Sequence, residues 1–407
     1  MLPRFSHRAI PIVLLAVLID VIGFGIVMPV LPALITHLGR MSLEQATEVS
    51  GWMLAVFAVA QFFAGPVMGS LGDRYGRRPV LMLAMLAFGL DYLLMAAAPT
   101  IAWLFLGRII AGITGATFGP AGAVIADVTP AESRAKVYGL LGAAFGLGFI
   151  IGPALGGLVA HLGVRAPFIV AAALALINAA MMYFLLPETL DDEHRRAFRW
   201  QDANVIGTFR PLFEVGNAAP LLAAWFLWQL GGVVYPTVWA FWSAMRFGWD
   251  AAAIGWSLAW VGFLQMLVQI FLTPLFLKRF GERWSAIIGL GSSAACLLAC
   301  AFVTASWQVY ALFLIGALGA MDFPALNGIL SRMVDATRQG GLQGGLGALN
   351  SVAAIAGPLV AAQSLAWGAG HGFLGAAFLV AGVLTVVAAL MIVLFTPRVL
   401  PEAEASG

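Results

Sequence analysis

Four ionisable residues stand inside long apolar runs of the chain: Asp20, Asp91, Arg108 and Asp322. A charge at the centre of a bilayer costs about 2.5–3.5 kcal/mol on insertion scales, so each needs a reason to be there. A carboxyl escapes that cost by taking up a proton and meets it again on release, which makes an intramembrane acid a natural proton switch. Arg108 has no such escape and needs an anion. Asp20 is one candidate, held ionised until a proton or ligand intervenes; a fixed ion pair between helices is the other reading. At about 1.5 Å per residue, Asp20 and Asp322 fall near the middle of their runs. A second feature is aromatic. Trp225, Trp228, Tyr235, Trp239 and Trp242 share one helical face, and Trp256 and Trp260 repeat the pattern. Such faces hold planar or cationic compounds, the role read here for Tyr235 and Trp239, whereas Trp242 and Trp249 suit anchoring at the membrane interface.

The elements that must carry these residues are membrane spans. Of 407 residues, 62% are hydrophobic and 10% charged, against about 25% charged in soluble chains; the mean hydropathy is +0.96. At about 20 residues per spanning helix the chain affords a dozen. Apolar runs fall near 10–35, 50–71, 79–98, 101–126, 137–162 and 165–187, then near 217–245, 251–277, 284–304, 308–333, 342–368 and 371–396. The first is too long for a cleavable leader and contains Asp20, so it reads as span one. With both termini in the cytoplasm, only Arg40, Arg165 and Arg246 of the 21 basic residues face outward. Arg108 lies in a span, and all the others fall on the inner side, as the positive-inside rule requires. A net charge of +2 gives no support for a nucleic-acid partner. Cys296 and Cys300, the two cysteines, read as a pair of small core residues four apart, with no disulfide or metal site.

The chain repeats itself. Arg74-Tyr75-Gly76-Arg77-Arg78 is echoed by Arg279-Phe280-Gly281-Glu282-Arg283, Phe118-Gly119-Pro120 by Asp322-Phe323-Pro324, and Gly152-Pro153 by Gly357-Pro358, all about 205 residues apart. The long polar stretch 188–215 lies between the copies. The expected architecture is therefore all-α: an N-terminal six-helix bundle over 1–187, a cytoplasmic linker over 188–215 and a C-terminal six-helix bundle over 216–407. Secondary transporters are built from such repeats and bind substrate near the membrane midplane.

Two motifs bear on movement. The loop after span two reads Gly69-Ser70-Leu71-Gly72-Asp73-Arg74-Tyr75-Gly76-Arg77-Arg78. Its glycines permit a tight reversal, and its mixed charges can pair with helix ends, making a latch that must break when the inner side opens. Span five carries Gly139, Gly148, Gly152-Pro153 and Gly156-Gly157, with Gly142 and Gly146 completing one small-residue surface. Bare glycines let helices meet backbone to backbone, and Pro153 bends the span.

The loop resembles the signature of the major facilitator superfamily, and span five resembles the motif of its antiporter branch. Asp20-Val21-Ile22-Gly23-Phe24-Gly25 with Met28-Pro29-Val30-Leu31-Pro32, and Leu106-Gly107-Arg108 through Gly112-Ile113-Thr114-Gly115-Ala116-Thr117, are similar to spans one and four of the tetracycline/proton antiporters. The resemblance implies substrate or proton handling by Asp20, Asp91 and Gln61, and gating by Asp73, Arg77 and Arg108. It also exposes departures. Gln265 stands where those exporters carry a functional His in span eight, Ser293 where they carry an Asp in span nine, and Asp322 where they have a small residue.

The expectation is a monomeric inner-membrane protein, both termini cytoplasmic, that exports a small amphipathic compound in exchange for protons, without metal or organic cofactor. Proton-coupled transport of a native metabolite such as a sugar or organic acid is the alternative. An intramembrane serine enzyme at Gly291-Ser292-Ser293 is disfavoured, because a nucleophilic serine needs a base within hydrogen-bond reach and His7, His37, His161, His194 and His371 all lie at span ends or in loops.

Overall fold

The computed structural model describes residues 7–115, 118–191, 193, 195, 206–209, 212, 219–335 and 338–397; most of the 188–215 linker and both chain ends lie outside them. Eleven helical stretches in the described residues are long and apolar enough to cross a membrane. One of these, Ala251–Cys300, is two spans run together, because Gly281 at φ +73° breaks the helix where only glycine is unstrained. Twelve spans result, and the described residues contain no strand.

Span one is Ala9–Val27, continued by Leu31–Gly39; span two is Leu43–Tyr75, span three Arg77–Ala97, span five Ala131–Val159 and span six Ala166–Leu185. Span four comprises Ile101–Thr114 and Phe118–Val128. Span seven comprises Ala219–Gly232 and Val234–Phe247. Span eight runs from Ala251 through a π-helical segment, Val268–Leu272, into Thr273–Cys300, which Gly281 divides between spans eight and nine. Span ten is Ser306–Gly316, a 3-10 segment Ala317–Met321, and Asp322–Ser331; spans eleven and twelve are Gln339–Gly370 and Ala376–Phe395.

Spans one, four, seven and ten are the interrupted ones, and proline explains the breaks. Pro29, Pro120, Pro236 and Pro324 each lack the N–H that would bond four residues back and lie in or just after an interruption. The breaks repeat: Met28 lies 205 residues before Val233, and Gly115 lies about 205 before the 3-10 segment of span ten. Spans five and eleven carry Pro153 and Pro358 and stay continuous.

The chain divides into two compact units. One contains Met1–Ser42, Val56–Asn204 and Trp249–Ala259; the other contains Leu43–Ala55, Val205–Gly248 and Trp260–Gly407. Inside the first unit span one packs on spans five and six, and span three on spans four and six; inside the second, span seven packs on eleven and twelve and span nine on twelve. Lipid offers apolar side chains no penalty to escape, so close packing carries the association. A Cβ on Gly148 would strike Val21, one on Gly152 would strike Gly25, and one on Gly156 would strike the Ile26 carbonyl. Glycines four residues apart thus bring span five against span one. The rest of the expected small-residue surface is a different matter: a Cβ on Gly139, Gly142 or Gly146 would meet nothing within 4 Å, and the same holds for Gly69. The close contact is confined to the half of span five beyond Phe145.

Each unit also takes a short piece from the other half of the sequence, at a pair of repeated contacts. In the first unit Gly255 lies on the Pro153 carbonyl and beside Gly157; in the second, Gly51 lies on the Pro358 carbonyl and against Ala362. The two contacts match at the offset of about 205, and in both a glycine meets the backbone beside the mid-helix proline.

Candidate functional site

The buried cation of the first unit finds its anion in Asp91. Arg108 Nη2 donates to Asp91 Oδ2, and both groups are enclosed, at 7% and 1% exposure. Spans three and four are joined by a short turn; Asp91 lies six residues before the end of one and Arg108 seven after the start of the other, about 9 and 10 Å in depth. Equal depth on adjacent antiparallel helices favours this pair over Arg108 with Asp20, the partner proposed from sequence. The guanidinium also approaches Met95 Sδ (3.0 Å) and lies 5.8 Å over the Phe57 ring. Gly107 leaves room for Asp91 Oδ1, which has no hydrogen-bond partner. Tyr92 is within electrostatic reach of Asp20, Asp91 and Arg108, so the three sequence-predicted charges do gather in one neighbourhood. Gln61 Nε2 donates to the Gly115 carbonyl at 3.2 Å, satisfying backbone opened by the break in span four.

The second unit has diverged at the matching places. Residues 205 beyond Asp91 and Arg108 are Cys296 and Phe313, so the ion pair has no copy. Its buried acid is instead Asp322, 1% exposed, at the junction between the 3-10 segment and the last helix of span ten. Its Oδ2 accepts from Ser293 Oγ (2.9 Å) and Trp228 Nε1 (3.2 Å). Asp322 Oδ1 has no partner, and no salt bridge reaches the side chain among the described residues. Ser293, the expected departure in span nine, thus donates to the acid on span ten. Gln265 of span eight is exposed and lies just before the π-helical segment, whose Val268 packs on Ala317 and Met321. π segments inside α-helices often mark functional positions.

The aromatic face of span seven is mostly interior. Trp239 is 1% exposed among Trp242, Phe313 and Phe378, with ring centroids 5.1–6.1 Å apart. Trp242, expected at the membrane interface, is equally buried and packs 4.7 Å from Phe378. Tyr235 is half-buried, its hydroxyl 3.6 Å from Cys296 Sγ. Trp225 and Trp228 meet edge to face at 5.4 Å beside Phe323.

At the turn between spans two and three, Arg77 binds Asp73 (2.6 Å) and Asp127 (3.2 Å). Gly76, at φ +102°, turns the chain so that the Arg77 and Arg78 N–H groups donate to Glu188, at 2.8 and 3.3 Å. A Cβ on Gly76 would collide with that carboxylate. The free N–H groups at the start of span three are a natural anion seat. Arg78 donates to the Tyr183 carbonyl, and Arg74 lies over Tyr75. In the second unit three of these charges are reversed: Lys278, Glu282 and Arg332 stand 205 residues beyond Asp73, Arg77 and Asp127, and Arg332 binds Glu282 at 2.6 Å, while Arg279 and Arg283 keep the sign of Arg74 and Arg78. Asp127 and Glu188 escaped sequence reasoning. Glu188 carries no local signal, but Asp127 was within reach through its repeat partner Arg332. Arg77→Asp and Asp127→Arg should each slow transport, and the double exchange should restore most of it, with a coupling energy of about 0.5–3 kcal/mol in a double-mutant cycle. Additive losses would show the pair to be incidental.

Two repeated six-helix sets with interrupted helices, a buried ion pair in one, a buried acid at a helix break in the other and matching charged turns define a polytopic membrane transporter. The model of the Major Facilitator Superfamily matches residues 13–245 and 230–407, and the chain belongs to that family. It is 40% identical to the tetracycline resistance protein, class C, of Escherichia coli over 377 residues, covering 91% of this chain and 94% of that one. It is 37% identical to the class E protein of Escherichia coli, covering 87% of each. The fold is shared with a D-xylose–proton symporter of known structure, with a TM-score of 0.76 at 20% identity, covering 96% of this chain and 97% of that one. The chain is a multi-pass membrane protein and a transporter rather than an enzyme.

Proposed function

We propose that the protein exports a small amphipathic, tetracycline-like drug across the inner membrane in exchange for protons, acting as a monomer with no cofactor beyond the coupling proton. The observation that carries the coupling is Asp322: a buried carboxyl at a helix break, without a cation among the described residues, whose charge an arriving proton can cancel. The names of the relatives support the drug. In the first unit, Asp91 and Arg108 neutralise each other, and Asp20, near Tyr92, and Gln61 are the candidates to meet substrate or proton. Gln265 and Tyr235 are the substrate candidates of the second, with the buried Trp239 packed against Tyr235. The Asp73–Arg77–Asp127 set, with Arg74, Arg78 and Gly76, and Gly148, Gly152, Pro153, Gly156 and Gly157 of span five are the gating elements.

The energetics suffice. One proton entering down roughly 150 mV supplies about 3.4 kcal/mol, enough for about a 300-fold gradient of an uncharged substrate. Expression in a drug-sensitive bacterium should lower cellular tetracycline, and a protonophore should abolish the difference. Accumulation unchanged by expression would refute the drug assignment.

Both termini and the 188–215 segment are assigned to the cytoplasm. Arg40→Cys and Arg195→Cys should react with an impermeant maleimide from opposite sides of the membrane; Cys296 and Cys300 are buried and contribute little background. Labelling of both from one side would invert or break the topology.

A further inference from the structure

Asp322 is held too tightly to serve as a counter-ion for a drug. A Cβ on Gly289 of span nine would collide with its Oδ1, and one on Gly319 would collide with Ser293 Oγ and lie 3.4 Å from Asp322 Oδ2. Ser293 and Trp228 occupy the other oxygen. The carboxyl is 1% exposed and closely lined by Gly289, Gly319, Ser293 and Trp228, yet Oδ1 has no partner. From the geometry we infer that Asp322 is a proton-only site, and that Trp228 relays its occupancy to the aromatic face of span seven. The inference rests on the proton-driven reading above and narrows it: in the second unit, proton and substrate have separate places.

The relay follows from hydrogen-bond chemistry. Charged, Asp322 draws two donors to Oδ2, and bonds to an ionised acceptor are roughly twice as strong as neutral ones. Proton uptake turns –COO⁻ into –COOH on the orphaned Oδ1, where the Leu318 carbonyl lies beside the same gap at Gly289. Oδ2 then becomes a neutral acceptor, and its hold on Trp228 weakens. The Trp228 ring meets Trp225 edge to face and Phe323 at 6.5 Å, and Trp225 is itself bonded to Asn350 of span eleven at 2.7 Å. Releasing one indole therefore loosens the half of span seven that ends at the Val233 break.

Among the described residues no other charge obscures the switch. The elements packed against Asp322 are spans seven and nine and the π segment of span eight. Within the membrane, their ionisable side chains are Tyr235, Cys296 and Cys300, which engage one another. Lys278, Arg279, Glu282, Arg283 and Arg246 lie at span ends, and Glu282 is paired with Arg332.

Infrared difference spectroscopy on the full-length protein in lipid nanodiscs tests this directly. Between low and high pH the wild type should lose a protonated-carboxyl band that is absent from Asp322→Asn and shifted in Ser293→Ala and Trp228→Phe. The same pH step should change tryptophan emission in the wild type and much less in Trp228→Phe. A band that persists in Asp322→Asn would overturn the proton site. A wild-type band removed at constant pH by tetraphenylphosphonium would overturn the proton-only assignment, because a cation would then share the carboxylate. If the band belongs to Asp322 but wild-type vesicles show no transport driven by a pH gradient, proton-driven export fails while the site stands.

Discussion

Arg108→Ala is expected to lower the stability of the purified protein by about 3–5 kcal/mol, the usual result of stranding one member of a buried ion pair. Asp91 is 1% exposed, and the residues around it offer Met95 sulfur, the Phe57 ring and the bare Cα of Gly107, none of which replaces a guanidinium. Asp91→Ala should be comparably harmful, because it strands the cation. Removing both charges together, as in Asp91→Leu with Arg108→Met, should recover most of the loss, since apolar pairs often replace buried ion pairs at little cost. Thermal melting of the three variants in detergent checks this. If the double variant is no more stable than the singles, the pair is not the principal link between spans three and four. Transport should stay impaired in the double variant, since Tyr92 and Asp20 share the neighbourhood and lose two charges.

Asp322→Asn is expected to abolish proton-driven accumulation while leaving substrate exchange across the membrane. Asparagine keeps the size of the side chain and an acceptor for Ser293 and Trp228, so packing at Gly289 should survive. It cannot change charge, so the roughly 3.4 kcal/mol available from about 150 mV is no longer coupled, and a gradient of about 300-fold should collapse toward unity. Asp322→Ala should uncouple in the same way and also weaken folding, because Ser293 and Trp228 lose their acceptor. Normal pH-driven transport by Asp322→Asn would return the proton role to Asp20.

The architecture was largely legible in the sequence because its signals are local. Hydropathy gave the spans and an offset of 205 exposed the repeat; the interruptions in spans one, four, seven and ten came from the structure, because Pro66, Pro153 and Pro358 lie in helices that stay continuous. Asp322 stood out as an acid in an apolar run. What local pattern could not supply was partnership. Sequence offered Asp20 as the anion for Arg108, and the choice of Asp91 depends on the depth each reaches from the turn between spans three and four. Glu188 looked like the first residue of a solvated linker, but Gly76 opens the start of span three to its carboxylate. Trp242 has the amphipathic character of an interface residue, but it is enclosed by Phe247 and Phe378. Gly139, Gly142 and Gly146 share the composition of the helix contact without taking part in it. Side-chain type constrains what a residue can do; which neighbour it meets is decided by register and depth.

Coupled exchange is tested most directly in everted membrane vesicles that carry a pH-sensitive dye inside and no imposed gradient. Tetracycline loaded outside should enter as protons leave, so the lumen should become more alkaline with the wild type and stay unchanged with Asp322→Asn. Acidification on tetracycline entry, or entry with no proton movement, would contradict antiport.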